Sequence, residues 1–465
     1  MSNSILLLAL AVQTAAPLDD ANLVVARALI SRAQQSRGAF ATLTDLVDHV
    51  GPRLSGSSGA DAAVAWASDS FSALGLVVRK EPVLVPVWVR GLEQAEVLSA
   101  PGRRSQALAV TALGGSPPTP TDGLEADIVE VSSLAELQQR GAAVRGRIVF
   151  FNHSMSVAND YRRFAELRTK GPALAAGLGA TGALVRSLAT TSMRSPHTGA
   201  AQFKEGEASI PAAAISVEDA QLLHRLLAAG PVRVHLVLGC RILPDAMSAN
   251  VIADLRGRER PDEIVLLGAH LDSWDLAVGA QDDGAGVALV IETARLLAGL
   301  AERPRRTVRF VLFMNEENGL RGAKTYASTH ASELALHVAA MELDVGAGRP
   351  LGVALTAGPG ASSLIEPWLA PLGPLGAGKL LPQPAEGADL TPLASARVPL
   401  VAVVQDATHY FDVHHSAADT LDKVEPEAFS QTSAAVAWMT YALAESKAVL
   451  PRPVPLPTAG PASAR

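Results

Sequence analysis

The chain has 465 residues, 48% of them apolar and 18% charged, which is enough to bury a sizeable core and excludes an intrinsically disordered protein. Lys plus Arg number 39 against 46 acidic residues, a net charge of −7 with no basic block, and this excludes general nucleic-acid binding. The single cysteine, Cys240, excludes an intrachain disulfide framework and a thiolate zinc site, so any metal must be held by His, Asp and Glu.

Residues 5–12 form a short apolar run followed by Thr14, Ala15 and Ala16. The run is too short to span a bilayer and suits the core of a signal peptide over residues 1–17, although no Lys or Arg precedes it. Secretion or periplasmic export follows, with the frayed start of a first, cytoplasmic helix as the other reading. No later segment is long and apolar enough to form a stable membrane span. Residues 20–112 and 245–448 are assigned to one discontinuous unit, and 113–244 to an insertion after the Pro-rich boundary at Gly114. The stretch 449–465, with Pro451, Pro453, Pro455 and Pro457, is assigned to a disordered tail.

Within the insertion, strands are expected at 146–151, 183–186 and 232–238. A helix there is opened by Ser216, with Asp219 three residues on, and closed by Gly230. A new strand is expected from Asn250, and further buried strands at 264–270, 308–314, 337–344 and 398–404. A helix over 284–299 carries Val287, Val290, Ile291, Ala294 and Leu297 on one face, and a last helix starts at Pro426. The alternation predicts an α/β fold: a mixed, largely parallel central sheet flanked by helices, with a smaller α+β unit inserted. Ligands of such sheets bind beyond the carboxyl ends of the strands.

Chemistry-bearing residues collect at those ends. His270 and Asp272 close one strand; alone, such a histidine is more often a hydrogen-bonded structural residue than a ligand. Asp282 and Asp283 sit in a Gly-rich turn before a helix, where an aspartate usually caps. The turn lacks the spacing of a phosphate loop, and its two acids would repel phosphate. Glu316 and Glu317 follow the next strand, Asp344 the third, and His414 and His415 lie in a late loop. Each fragment alone reads as a solvated turn or a structural histidine. In order, at one edge of one sheet, they form an all-oxygen and imidazole ligand set that suits zinc. Three carboxylates against two zinc ions leave a charge of +1, which one bridging hydroxide neutralises.

The segments His-Leu-Asp-Ser-Trp-Asp from His270, Gly-Ala-Gln-Asp-Asp-Gly from Gly279, Asn-Glu-Glu-Asn-Gly-Leu-Arg-Gly from Asn315 and Tyr-Phe-Asp-Val-His-His-Ser from Tyr410 resemble the co-catalytic dizinc exopeptidases, most nearly their carboxypeptidase Q branch. Gly51-Pro-Arg-Leu-Ser-Gly-Ser57 matches their N-terminal part, and the insertion resembles a protease-associated domain. The resemblance implies that Asp282 bridges two zinc ions, His270 and Asp344 completing one site and Glu317 and His415 the other. It implies Glu316 as general base, His414 as a donor to the tetrahedral oxyanion, Asp272 as partner of the His270 ring, and Asp389 as a supporting acid near the site. It also implies a cis peptide after Asp282, a peptide or dipeptide substrate and a homodimer. A metal-free, receptor-like binding protein and a zinc-dependent glutaminyl cyclase are the competing functions on the same scaffold. The filled ligand positions count against the first and the insertion against the second.

Overall fold

The structure is a computed structural model that describes residues 19–158, 160–191 and 193–454. The expected signal peptide over 1–17 lies outside the described residues, as does the tail from residue 455.

Seven strands form the main sheet: β1 (Val77–Val89), β2 (Arg241–Leu255), β3 (Arg260–His270), β4 (Arg306–Phe313), β5 (His337–Glu342), β6 (Pro350–Thr356) and β7 (Leu400–Gln405), in the order β1-β2-β4-β3-β5-β7-β6. The four central strands, β4-β3-β5-β7, run parallel, and antiparallel strands close both sides, as in the mixed sheet expected. Every residue of β4 is buried, the pattern of a strand covered by helices on both faces. Pro82 and Pro86 lie in β1, an edge strand where a missing N–H is tolerated, and Pro86 falls at the break in register between Val85 and Val87.

The helix Ala285–Ala298 is buried on almost all sides, more completely than its predicted stripe requires. It lies under the sheet against the final helix Pro426–Glu445, which is itself covered by the first helix, Asp20–Ser36. Pro426 occupies the first turn of that final helix, and the carboxylate of Glu425 accepts the N–H groups of Glu427 and Ala428.

The inserted unit has its own eight-stranded sheet, with four parallel strands (Leu124–Val131, Ile148–Phe151, Gly182–Arg186, Ala212–Ile215) at its centre. Its helix Val217–Ala229 is capped by Ser216, whose Oγ accepts the Asp219 N–H, and ends at Gly230. This sheet takes in strands from Glu93 onward, well ahead of the sequence boundary at 113, because Glu93–Ser99 pairs with Arg233–Leu238. The first residues assigned to a disordered tail are instead docked. Gly358 donates to the Pro451 carbonyl, and the Arg452 guanidinium donates to the carbonyls of Leu334, Ala335, His337 and Ala396. Among the described residues, no helix is long and apolar enough to cross a membrane.

Candidate metal centre

Parallel pairing gathers the strand ends. His270 is the last residue of β3 and stands opposite Phe313, the last of β4. Glu316 and Glu317 follow β4, and Asp344 lies two residues past the end of β5, which stops at Glu342 instead of running through 344. His414 and His415 come after β7 and the single turn Tyr410–Val413.

Asp282 stands at the centre. Its Oδ1 is 3.1 Å from His270 Nε2, and the same nitrogen is 3.4 Å from Asp344 Oδ1. Its Oδ2 is 3.1 Å from His415 Nε2, which lies 2.9 Å from Glu317 Oε2. One carboxylate thus faces two clusters, His270 with Asp344 and Glu317 with His415. His414 joins the second: its Nε2 is 3.3 Å from Asp282 Oδ2, and its ring stacks on that of His415 with centroids 3.6 Å apart. Asp282, His414 and His415 form one metal-capable group and His270, Asp282 and Asp344 another.

The adjacent acids divide their work. Asp283 caps, accepting the N–H of Gly286 at 3.0 Å and of His270 at 3.1 Å, so it ties the helix start to the end of β3. Asp282 is thereby left to face the site across the expected cis peptide. Asp419, to which sequence reasoning gave no role, accepts the N–H groups of Gln281 at 2.7 Å and Asp282 at 3.1 Å and fixes that turn from the other side. Gly279 has φ +58°, and a Cβ there would collide with Ser273 Cβ, so the turn needs glycine.

Asp272 does something different from its expected part. The His270 Nδ1 bond goes to the Asp272 main-chain oxygen at 2.9 Å, while the carboxylate oxygen lies 4.0 Å away. That carboxylate instead accepts the N–H groups of Asn315 at 2.7 Å and Glu316 at 3.0 Å, and so positions the segment carrying both glutamates. Asp389 is fully buried, and neither of its oxygens has a hydrogen-bond partner among the described residues. Its neighbour is Glu342, which accepts the Asp389 and Leu390 N–H groups. Arg53, quoted in the N-terminal motif without a role, is completely buried. Its guanidinium donates to the carbonyls of Leu271, Val278 and Gly279, tying together the segments on either side of the site.

The donor set calls for cations. Asp272, Asp282, Asp283, Glu317, Glu342, Asp389 and Asp419 are all buried, with Arg53 and Arg168 as the buried guanidinium groups beside them. Charges so placed are stable only when paired or metal-bound. Asp282 Oδ2 and Glu317 Oε1 are buried without a conventional hydrogen bond, as expected of oxygens aimed at a metal. Burial works against a charged His270 ring, but Asp282 and Asp344 hold its pKa well above the usual value. Burial likewise opposes the Asp282 carboxylate, and His414, His270 and His415 override it and keep its pKa well below the usual range. In the metal-free chain the His270 and His415 rings, both held above the usual imidazole range, take the part of the cations, while burial keeps His414 well below it. Burial, with Asp344 and Glu317 nearby, pushes Glu316 well above the ordinary carboxylate range.

A family model described as "Peptidase family M28" matches residues 250–440, a span that includes every expected ligand. Human carboxypeptidase Q is 36% identical over 433 residues, covering 92% of this chain and 90% of that protein.

The chain belongs to peptidase family M28.

The M28 peptidase precursor of Shewanella amazonensis SB2B has a crystal structure that is 41% identical and superposes with a TM-score of 0.90, covering 94% of this chain and all of that one. The zinc aminopeptidase of Bacillus subtilis shares the fold at 20% identity, with a TM-score of 0.66 over 88% of this chain and 96% of its own. This M28 chain is accordingly a zinc metallopeptidase, and the receptor and cyclase readings are not favoured.

Proposed function

We propose that the chain is a two-zinc exopeptidase that releases amino acids from dipeptides or short peptides. The observation that carries this reading is the Asp282 carboxylate, with one oxygen turned to His270 and Asp344 and the other to His415 and Glu317. Those residues would hold two ions that share Asp282. When bound, zinc supplies Lewis acidity that polarises a carbonyl and makes water more acidic.

Glu316 takes a proton from the attacking water and delivers it to the leaving amine. The Asp272 carboxylate accepts its N–H and fixes the main chain that carries it. His414 either donates to the developing oxyanion or ligates beside His415, and its contact with Asp282 supports the second part. Trp274, Ala277, Gly279 and Ser416 line a small cleft together with Asp282, Glu317 and His415. The inserted unit is read as a protease-associated domain. The precursor form of the Shewanella relative supports export of this chain as well.

Amino-acid release from a panel of dipeptides, with N-blocked and C-amidated versions, tests the reading. Chelator-sensitive, zinc-restored release is expected, and the blocked peptides identify which terminus is read. Zinc-loaded protein that releases nothing from any of them would overturn it.

A further inference from the structure

Three histidines face Asp282 through Nε2, and the two expected to ligate, His270 and His415, are oriented in different ways. A histidine ligates through one ring nitrogen only when the other carries the proton, and a carbonyl accepting that proton sets the tautomer. For His270 the acceptor is local, the Asp272 carbonyl two residues on, at 2.9 Å from Nδ1. For His415 it is the Thr198 carbonyl, 217 positions away in the inserted unit and 3.3 Å from Nδ1.

Thr198 is locked in place for this. Its N–H donates to the His415 carbonyl at 2.8 Å, so it holds the ligand by both main chain and ring. The hold matters because His415 has φ +60°, a conformation that L residues rarely adopt unaided. Thr198 Oγ1 donates to the Ala112 carbonyl at 2.7 Å. The Arg168 guanidinium, buried between the two units, donates to the Thr198 carbonyl at 3.0 Å and to Tyr161 Oη at 2.8 Å. Its Nη1 is also 3.3 Å from His415 Nδ1. A guanidinium only donates, so it could bond Nδ1 only in the tautomer that carries its proton on Nε2; when Nε2 ligates, Nδ1 carries the proton and the Thr198 carbonyl is the acceptor on which both groups converge. Gly199 makes the approach feasible, because a Cβ there would run into the guanidinium.

We infer that the inserted unit is a working part of the metal centre: Arg168 is a positioning residue that fixes the Thr198 carbonyl, which in turn presents His415 Nε2 to the zinc it shares with Glu317. The inference rests on the two-zinc reading above. It gives the insertion a role in holding metal that is independent of any contact with substrate.

The test uses the full chain as wild type and as Arg168→Met, Arg168→Lys and Tyr161→Phe. Zinc affinities are measured by competition with a chromophoric chelator, alongside visible spectra of the cobalt-substituted proteins and melting of the metal-free ones. Arg168→Met is expected to weaken one of the two ions about 10- to 100-fold, the usual effect of removing a group that orients a ligand. The other ion should be unaffected, and the cobalt spectrum of the weakened site should change. Arg168→Lys should recover part of the loss, and Tyr161→Phe should show a smaller weakening of the same ion, which preserves the test if Arg168→Met folds poorly. Unchanged affinities and spectra in all variants would overturn the inference. Equal loss of both ions in step with lowered metal-free melting would also overturn it, because the role would then be general packing. A wild type that binds fewer than two zinc ions would instead sink the two-zinc reading, and this inference with it.

Discussion

Asp282, Glu316 and His414 are assigned different parts in one site, and their substitution should give three different signatures. Asp282→Ala removes the carboxylate that faces both clusters, so both zinc ions should be lost together when content is measured by atomic absorption. Retention of two tightly bound ions would refute the shared role. Glu316→Gln keeps the shape of the site and removes the proposed base, so zinc content should stay at the wild-type level while kcat falls roughly a hundredfold or more. His414→Ala separates the two parts open to that ring. Loss of one zinc makes it a ligand alongside His415, whereas full zinc with depressed kcat makes it an oxyanion donor. The adjacent pairs also show the limit of reading residue by residue. Motif order identified 282–283 and 316–317 as acidic pairs, but which member faces the site depends on partners far away. Asp283 is taken by His270 and Gly286, and the Glu316 main chain is taken by Asp272.

Strands and loops decide where those side chains can stand. The apolar runs that end at His270 and Met314 were legible because a strand buried on both faces is a continuous hydrophobic stretch. The β1–β2 pair was not legible over its full length. Residues 241–249 are largely exposed, Ile242, Leu243 and Met247 included, and they are strand because β1 pairs with them along the ribbon. The loop at Gly51–Ser55 shows how a segment without periodicity can be essential to an element. Arg53 donates to carbonyls before and after the site loop, and Arg53→Met would leave those buried acceptors, and the acids around them, without their cation. A loss of about 3–5 kcal/mol in unfolding free energy is expected, the range for breaking a buried charged contact. Denaturant unfolding of the metal-free protein would measure it, and a change below about 1 kcal/mol would show that the loop is held by other contacts.

The whole fold is built around concentrated negative charge, which makes its stability depend on metal and pH together. Burial pushes Glu317, Glu342 and Asp419 up to about 7. A carboxyl group whose pKa is raised by folding stabilises the native state while protonated, and that contribution is lost as pH rises through the folded value. The metal-free protein should therefore melt progressively lower between about pH 5 and pH 8, and zinc should flatten the part of the profile that belongs to Glu317, the one of the three expected to ligate. Calorimetry with and without chelator would show this, and a metal-free profile as flat as the zinc-loaded one would contradict it. Two units, each with its own sheet, meet at this charge. Trp274 of the site loop packs into the core of the inserted unit, and Gly114 lies so close to its ring that a Cβ would collide with it.

The candidate ligand residues, their order, their positions at strand ends and the class of metal they suit were legible in the linear chain, because each lies in a short segment with its own pattern, while their separate roles came from the resemblance. The sharing of Asp282 between two clusters, the transfer of Asp272 from ring partner to main-chain anchor, and the hold of Arg168 and Thr198 on His415 were settled only in three dimensions. Such contacts, the one from His415 to Thr198 spanning 217 positions, leave no periodicity in either partner, so they exist only once the chain has packed together.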